Sequence, residues 1–593
     1  MHAELYYQDK IAEATSQVKK LKATRNYITF TKIILFLLII YFLYSLLTTG
    51  NLFALYTGIL SIILFVYINY TETKLLQKIT YYTELRHGAK IEVEYLAGDS
   101  THLPKGDKFK DLSHAYSHDL DLFGENSLFQ SVNRTVTPNG TQKLSEWLCS
   151  PLKSKERVLQ RQQAVQELSE DPDWCHSFRA IGVSHKLSGI AIKEIREWSE
   201  EQLRLPTAML QLSYYLPIVT IAGWSLCLFS IIPFSLPLLL SFIQLTIVLS
   251  SAKKINRVQH QLDQFIHSFS NLHRLMQHVR SKQVDSERLK EIYYKLYEQK
   301  YNAEEAFRSL HKTSESFDQR GNILAAILLN GLFMKDVHLI RRLTKWKEKY
   351  ASFIPEWLES IGELDVFVSL ANYRFNHPDY IFPIPDDEVI LRGEAIGHPM
   401  LPASQRIVND FQVARLHEFY IVTGANMAGK STFLRTIGTN LILANCGCVV
   451  CAKTFRFQPI AIFSSMRTAD NLAKGTSYFH AELLRLKQLV ETAEKEDKLF
   501  IILDEILKGT NSVDKLNGSR LFLQKLLSLP VSGLIATHDL ELGKLADVFP
   551  RHFINNCFEI AHSGTEISYD YKLKPGISQT MNASILLKKM GLV

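Results

Sequence analysis

The residues best suited to bind phosphate lie in residues 419–431, which read FYIVTGANMAGKS. An apolar run leads into Gly424, and Gly429, Lys430 and Ser431 follow four residues later, as in the pattern G-x-x-x-x-G-K-S/T. In such a loop the backbone N–H groups approach phosphates, the lysine neutralises them and the hydroxyl binds magnesium. Residues 432–446 are predicted to form a helix, whose N-terminus favours anions. The predicted nucleotide contacts are Gly424, Ala425, Asn426, Met427, Ala428, Gly429, Lys430, Ser431 and Thr432.

Two later apolar runs end in groups that suit hydrolysis. Residues 498–505 read KLFIILDE, and we predict that Asp504 binds magnesium together with Ser431 while Glu505 polarises the attacking water. Residues 533–538 read GLIATH, where His538 is interpreted as a sensor of the γ-phosphate, the alternative being an ordinary loop histidine. ATP and Mg²⁺ are therefore the predicted cofactors.

Three cysteines, Cys446, Cys448 and Cys451, lie close together and raise the possibility of a metal site. They lack a second ligand pair at the spacing of zinc sites, so a structural role as small apolar residues is favoured. The chain has seven cysteines, an odd number scattered over 593 residues, which argues against a secreted disulfide framework. Its net charge of +7 is too small an excess to indicate nucleic acid or anionic lipid.

Two apolar runs near the N-terminus, residues 33–47 and 52–70, predict a transmembrane helical hairpin. The first run is long enough to span only if it begins near Tyr27, with Lys32 as a snorkelling end residue. A cleaved signal peptide is the less favoured alternative, because its apolar region would be shorter and followed by a cleavage site.

A second apolar pair lies within residues 212–249, and no charge occurs between Leu205 and Ser251. Membrane insertion is favoured, and a buried core hairpin remains the alternative because the last run is short. Basic residues flank both hairpins while the turns are uncharged, so the positive-inside rule places both termini in the cytoplasm. We therefore expect a multi-pass protein of a bacterial-type inner membrane with two to four transmembrane helices.

The predicted fold class is multidomain, with transmembrane hairpins, an all-α core and lever domain, and an α/β P-loop ATPase domain of the ABC type. Residues 112–371 are rich in Leu, Glu, Lys, Gln and Arg at helical spacing, and prolines and glycines punctuate shorter segments after Tyr373. The predicted limits are a cytoplasmic segment 1–30, a hairpin 31–70, a linker 71–111, the helical domain 112–371 with an inserted hairpin at 212–249, and the ATPase domain 372–593.

These motifs resemble those of the MutS family. TGANMAGKST is similar to the usual TGPNMGGKST, DEILKGTNSVD to DEIGRGTSTYD, and TADNLAKGTSYFHAEL to the segment that carries the family's signature serine. Further similar stretches are Gly397 to Pro399, the sequence ELD at 363–365, RTVT at 134–137 and YKLKPG at 571–576. The resemblance covers about residues 120–593.

The resemblance implies a dimeric ATPase with two nucleotide sites at the subunit interface. Ser477 would then reach the γ-phosphate held by the opposite subunit, Asn426 and Lys430 would hold phosphates, and Glu505 and His538 would serve hydrolysis. Such sites convert the state of the nucleotide into closure of the subunits.

Departures from the family pattern bear on DNA. About 30 residues precede the first apolar run, so we expect the mismatch-recognition and connector domains to be lacking. The distance from Arg134 to Asp365 is short once the inserted hairpin is removed, which predicts a DNA clamp that is reduced or missing. Phe123, Gly124 and Glu125 match the Phe-x-Glu motif in form but are interpreted as structural. We also expect no helical tail and no nuclease domain after the ATPase domain, and Leu507 replaces the usual glycine after Glu505.

The leading functional hypothesis is a membrane-anchored, MutS-like, DNA-binding ATPase that clamps DNA and is linked to mismatch repair or recombination. Homodimers, DNA and the membrane are the predicted partners. The alternative is an ATP-driven conformational switch that acts on membrane or protein partners without DNA. A transporter is a third possibility, disfavoured because no charged residue lines a path through the four apolar runs.

Overall fold

The computed structural model describes residues 2–50, 52–183, 198, 205–318, 323–467, 478–563 and 566–579. Within these residues the chain is mostly helical up to Asn376, and strands alternate with helices after it. The predicted combination of a helical region followed by a mixed α/β region is confirmed at this level. The predicted boundary at residue 372 falls inside a helix, Ile354–Asn376.

Two long helices form the N-terminal hairpin, α1 at His2–Thr49 and α2 at Leu52–Leu96. Both extend far beyond their apolar runs, so the predicted linker 71–111 is wrong over its first part, which continues α2 to Leu96. Only one glycine and no proline interrupt residues 71–96, so nothing there stops the helix. Lys32, interpreted as a snorkelling end residue, pairs with Glu72 of α2, with 2.6 Å between Nζ and Oε2.

The helices that follow α2 pack mainly around one apolar core. They are α3 Leu128–Val132, α4 Pro138–Cys149, α5 Lys155–Ser169, α6 Pro172–Val183, α7 Thr207–Leu228, α8 Ser235–Ser250, α9 Ala252–Arg280, α10 Glu287–Tyr293, α11 Ala303–Asp318, α12 Ile323–Phe333, α13 Lys335–Tyr350 and α14 Ile354–Asn376.

Helices α7 and α8 form the second predicted hairpin, and the structure does not bury it. Large apolar side chains are exposed along both helices, as at Tyr215, Ile218 and Phe242. The alternative of a buried core hairpin is therefore wrong. By length and composition, two helices of the described residues could cross a membrane, His2–Thr49 and Phe53–Leu96, or three if the bent pair Ser235–Ser250 and Ala252–His260 is counted as one span.

The α/β region contains two sheets. Its elements are β1 Ile384–Pro385, β2 Leu391–Ile396, β3 Asn409–Val413, β4 Phe419–Gly424, α15 Lys430–Asn445, β5 Thr454–Phe457, β6 Ala461–Ser465, α16 Tyr478–Ala493, β7 Leu499–Asp504, α17 Ser512–Leu526, β8 Val531–Thr537, α18 Leu545–Val548, β9 Phe553–Ser563 and β10 Glu566–Pro575. The larger sheet has the order β10-β9-β4-β8-β7-β6, parallel except for β10, and the smaller one has the order β1-β5-β2-β3.

Burial explains why β4, β7 and β8 read as unbroken apolar runs. Every residue of β4 and of β8 is buried, as is β7 up to its last residue, Asp504. Strands covered on both faces need apolar side chains throughout, and the first polar groups appear where each strand ends. In a parallel sheet those carboxyl ends lie along one edge, which is where ligands bind.

Candidate functional site at the carboxyl ends of the central strands

The sheet brings the predicted site residues of three segments together. Strand β8 lies between β4 and β7, with Thr423 opposite Thr537 and Asp504 opposite Ala536. Gly424, Asp504 and His538 therefore emerge side by side, although they come from segments far apart in the chain. The predicted convergence of the phosphate loop with the acidic pair and the histidine is present in the structure.

Lys430 begins helix α15 and turns back over the loop. Its side chain is buried, and Nζ donates to the carbonyl oxygens of Gly424 at 2.8 Å and Ala425 at 2.9 Å. Burial lowers the pKa of Lys430 to about 8. The ammonium thus sits inside the curve of the loop, where a phosphate would meet it.

The glycines at the two ends of the loop have no room for a side chain. Gly424 has a φ of 151°, and a Cβ there would meet the carbonyl oxygen of Phe558 at 2.8 Å. Gly429 has a φ of 105°, a left-handed conformation that favours glycine. The path of the backbone around Lys430 therefore depends on both glycines.

A hydroxyl and a carboxylate meet beside the loop. Ser431 Oγ donates to Asp504 Oδ2 at 2.6 Å, and the two oxygens form a hard donor pair of the kind that magnesium prefers. This pair fits a magnesium ion, because the two oxygens already lie next to each other at the N-terminus of α15. Among the described residues, no group of three or more His, Cys, Asp or Glu side chains is placed to hold a metal ion.

Glu505 and His538 form a second polar pair next to Lys430. His538 Nε2 lies 3.1 Å from Glu505 Oε1, and Lys430 Nζ lies 3.3 Å from the same ring nitrogen. Burial, and next the charge of Lys430, lowers the pKa of His538 below its ordinary value. A neutral imidazole can donate one hydrogen bond and accept another, so it can link the carboxylate to groups at the loop.

The loop after Glu505 is strained. Glu505 and Leu507 have φ values of 55° and 59°, a left-handed conformation that costs a residue with a side chain about 1–2 kcal/mol. Leu507 therefore stands at a position that favours glycine, the residue usual in the family motif. Backbone strain of this kind occurs at functional sites when the surroundings hold it in place.

Helix α16 holds that loop from the other side. Glu482 is buried, and its Oε1 accepts a hydrogen bond from the backbone N–H of Lys508 at 3.2 Å. A Cβ at Gly509 would lie 3.1 Å from the Cα of Phe479, so the loop and the start of α16 are in close contact. Glu482 lies inside the quoted TADNLAKGTSYFHAEL segment but was not singled out as a site residue. The sequence did offer one indication. Glu482 is a charged residue that shares a helix face with Leu486 and Leu489, where an apolar residue would be expected.

The loop opens on a cleft of about 470 Å³ whose walls include residues that sequence analysis missed. Tyr571 and Ile407 are among them. Tyr571 has a φ of 51°, and its carbonyl oxygen accepts a hydrogen bond from Asn409 Nδ2 at 3.0 Å. Its ring stacks on Tyr569 at a centroid distance of 5.8 Å. The only signal for Tyr571 was its place in the YKLKPG stretch, which pointed to a domain end and not to a contact.

Ser477 and the whole stretch 468–477 lie outside the described residues. The segment immediately before that stretch is anchored to the helical region by Asp119, which is buried. The carboxylate of Asp119 accepts from Ser464 Oγ at 2.7 Å and from the backbone N–H of Arg467 at 3.0 Å. The residues that lead into the predicted signature segment thus contact the helical region directly.

Two structural interpretations agree with the packing. Cys446, Cys448 and Cys451 are buried free thiols, and burial raises the pKa of Cys446 to about 12. Phe123 is buried against Phe109 and Phe129, with ring centroids 5.7 and 5.5 Å away, so it contributes to the core.

Family models match two parts of the chain. The model for MutS domain V matches residues 420–589, which contain the cleft, and the model for MutS domain III matches residues 113–191 of the helical region. The two matches cover nearly the same part of the chain as the motifs, beginning at residue 113, and they follow the same order along the chain.

Whole-chain comparisons find proteins named DNA mismatch repair protein MutS. The chain is 26% identical to that of Thermotoga neapolitana over 492 residues, covering 76% of this chain and 59% of the relative. It is 25% identical to that of Methanosarcina acetivorans over 563 residues, covering 86% of this chain and 60% of the relative. It is 33% identical to that of Rickettsia rickettsii over 237 residues, covering 38% of this chain and 26% of the relative. The chain spans about 60% of the length of the first two relatives. With the two family models matching in order, the chain belongs to the MutS family.

Proposed function

We propose that this protein is a membrane-anchored ATPase of the MutS type, whose cleft binds ATP with Mg²⁺ and hydrolyses it. The observation that carries the proposal is the convergence of Lys430, the Ser431–Asp504 pair and the Glu505–His538 pair at the ends of three neighbouring strands. A lysine buried in a glycine-bounded loop, beside a hydroxyl–carboxylate pair, matches what a nucleoside triphosphate requires.

Each group has a distinct role in the proposed reaction. Lys430 and the backbone N–H groups of residues 424–432 hold the phosphates, and Ser431 with Asp504 holds magnesium. Magnesium, when bound, supplies positive charge that neutralises the phosphates. Glu505 accepts the proton of the attacking water, and His538 links Glu505 to the phosphate side through its second ring nitrogen.

Part of the lining of the cleft suits a nucleoside base. Tyr571 and Ile407 offer an aromatic and an aliphatic surface, and the backbone of Tyr571 is fixed by Asn409. Stacking on an aromatic ring is tolerant of base identity, so this part of the lining supports affinity more than selectivity among bases.

The active form is proposed to be a homodimer in which Ser477 of one subunit completes the site of the other. The anchoring of residues 464–467 by Asp119 supports a link between that contact and the helical region. Closure of the dimer around ATP would then move the helices relative to one another.

The apolar halves of α1 and α2 are proposed to cross a bacterial-type inner membrane, with both termini and the ATPase domain in the cytoplasm. Large apolar side chains are exposed along both, for example Phe36, Ile40, Ile63 and Val66. The turn between them carries Thr48, Thr49, Gly50 and Asn51, while Lys19, Lys20, Lys22 and Arg25 precede the first run. Polar groups at the turn and cations at the other end fit a hairpin that spans with its ends inside.

DNA is the proposed ligand of the ATP-driven switch, because the relatives are named for DNA mismatch repair. A second candidate, a switch on membrane or protein partners without DNA, is favoured by one observation. The exposed faces of α7, α8 and α12 are apolar and carry no charge, whereas binding to DNA phosphates requires Lys or Arg.

ATP hydrolysis by the full chain in detergent, with Lys430→Ala as the inactive control, separates these functions. The rate is measured alone and with homoduplex, mismatched and branched DNA, over a salt series. Stimulation by DNA that declines with salt supports the DNA clamp, since phosphate contacts release counterions. Hydrolysis that depends on Lys430 but ignores every DNA supports the second candidate, and hydrolysis unaffected by Lys430→Ala overturns the ATPase itself.

A further inference from the structure

We infer that α7, α8 and α12 form one apolar unit that enters the hydrocarbon of the membrane from the cytoplasmic side and returns without crossing it. This rests on the membrane anchoring proposed above, but it differs from the transmembrane hairpin that the sequence favoured. The partner of this unit is the lipid: the acyl chains of the bilayer surround the three helices and the turn at residues 229–234.

The chemistry of the two turns differs. The turn of the first hairpin is polar, whereas residues 229–234 read FSIIPF. Leu228 is 83% exposed and Phe229 75% exposed, and Ile231 and Phe234 are exposed as well. A turn that reached the aqueous phase on the far side would leave these four apolar side chains in water, and burying each in hydrocarbon is favourable by about 1.5–3 kcal/mol.

Part of the backbone of the second turn is hydrogen-bonded within the turn itself. The N–H groups of Phe229, Ser230 and Ile231 donate to the carbonyl oxygens of Ser225, Cys227 and Leu226, at 3.3, 2.9 and 3.0 Å. The N–H of Leu236 donates to Pro233 O at 3.2 Å, and Pro233 has no N–H to satisfy. These four bonds satisfy four of the seven N–H groups of residues 229–236, which lowers the cost of immersing the turn in hydrocarbon but does not remove it.

The polar end of the unit lies at its base. His338 of α13 contacts the carbonyl oxygen of Ser213 at 3.0 Å, and Arg341 lies over the ring of Tyr214 at 4.2 Å. From Ser213 to the end of α7 is about 22 Å at 1.5 Å per residue, against a hydrocarbon core of about 30 Å. The chain bends by 58° between α8 and α9, and Lys253 and Lys254 lie at the start of α9, just after the bend. Cations at the base would meet the lipid headgroups.

The interior of the unit also fits an apolar medium. Two polar pairs join α7 to α8, Gln244 Nε2 with Thr220 Oγ1 at 2.5 Å and Trp224 Nε1 with Ser241 Oγ at 3.0 Å, and they leave the outer surface apolar. Helix α12, ILAAILLNGLF, packs on both and is too short to span. The groove between the three helices measures about 1180 Å³ and is lined mainly by apolar side chains, which suits an acyl chain.

Cysteine labelling in spheroplasts of a producing bacterium tests the inference. Thr49→Cys, Ile231→Cys and Lys253→Cys are made in the full chain after Cys149 and Cys227 are replaced by Ala, because the other five cysteines are buried in the folded protein. The parent chain without an added cysteine measures the label that these five take up after denaturation, and labelling of each variant is counted above that level. A membrane-impermeant maleimide is applied to intact spheroplasts, then to permeabilised ones, then after denaturation in detergent. A thiol in hydrocarbon does not form the thiolate that reacts, so immersion prevents labelling from either side.

We expect Thr49→Cys to react in intact spheroplasts, Lys253→Cys only after permeabilisation, and Ile231→Cys only after denaturation. If Ile231→Cys reacts in intact spheroplasts, the second hairpin crosses the membrane and the inference is overturned. Reaction after permeabilisation alone also overturns it, because the turn then lies in the cytoplasm. A Thr49→Cys that stays unlabelled in intact spheroplasts instead contradicts the proposed anchor, and this inference falls with it.

Discussion

Arg134 Nε donates to Glu92 Oε1 at 2.7 Å, and both side chains are buried. Glu92 lies on α2, the second helix of the N-terminal hairpin, while Arg134 opens the RTVT stretch of the helical region. Arg179 of α6 reaches the same carboxylate at 2.7 Å. The proposed membrane hairpin and the MutS-type core are therefore joined by a buried ionic cluster, and not by a flexible tether.

Replacing Glu92 with Ala should destabilise the fold strongly. It leaves two guanidinium groups buried without their carboxylate, and breaking a buried ion pair from one side costs about 3–5 kcal/mol. The midpoint of thermal unfolding in detergent measures the loss. Glu94→Ala on the same helix is the matched control, since Glu94 is partly exposed and lies 3.7 Å from His102. Equal midpoints for the two variants would contradict a structural role for the cluster.

Glu505→Gln should separate binding from hydrolysis. The amide keeps the shape of the side chain but cannot take a proton, and loss of a general base lowers a rate by about 10²–10⁴-fold. We expect ATP affinity to stay close to that of the unaltered protein, because Lys430 and the phosphate loop are untouched. Single-turnover hydrolysis and equilibrium nucleotide binding measure the two quantities. Glu541→Gln, at an exposed position, is the control. Parallel loss of binding and hydrolysis would assign Glu505 a structural role.

Tyr571→Ala should weaken binding of ATP but not of tripolyphosphate. An aromatic contact is worth about 0.5–1.5 kcal/mol beyond its area, so the dissociation constant of ATP should rise by about two- to tenfold. Tyr571→Phe keeps the ring and should bind ATP normally, which separates stacking from the hydroxyl. Calorimetric titration with both ligands provides the comparison. An equal loss for tripolyphosphate would show that the substitution disturbs the phosphate loop, which Tyr571 contacts near Gly429.

The sequence predicted the polar centre of the cleft because local patterns define it. Lys430, Ser431, Asp504 and His538 each follow directly on an apolar strand or loop motif, and parallel strands carry such ends to one edge. Tyr571 and Glu482 could not be assigned in the same way. Their positions depend on how β10 and α16 return to the loop, and no local pattern reports that packing.

The helical architecture was harder to predict where one helix passes from one environment to another, as α2 does from its apolar half to the half that packs on the helical region. Residues 71–96 have a mixed polar composition that reads as a linker, yet they continue α2 because Glu92 and its neighbours are buried against α6 and α14. Helix α12 was not singled out, since its 11 residues are too few to span a membrane and its apolar face acquires meaning only beside α7 and α8. In both cases the composition permits the helix, and tertiary contacts that no local pattern reports give it its place in the fold.

Binding of ATP should be accompanied by proton uptake near pH 8.5. Burial lowers the pKa of the free Lys430 to about 8, so much of it is neutral at that pH, while phosphates favour the charged form and raise the pKa. The terminal phosphate, with a pKa of about 6, is already fully ionised and contributes no proton change. Titration calorimetry in buffers of different ionisation enthalpy measures the uptake. It should be absent at pH 6.5, where Lys430 is charged before binding and the partly protonated terminal phosphate can only release protons. Lys430→Arg, charged at both pH values, should show none; a binding enthalpy independent of buffer at pH 8.5 in the unaltered protein would refute the perturbed lysine.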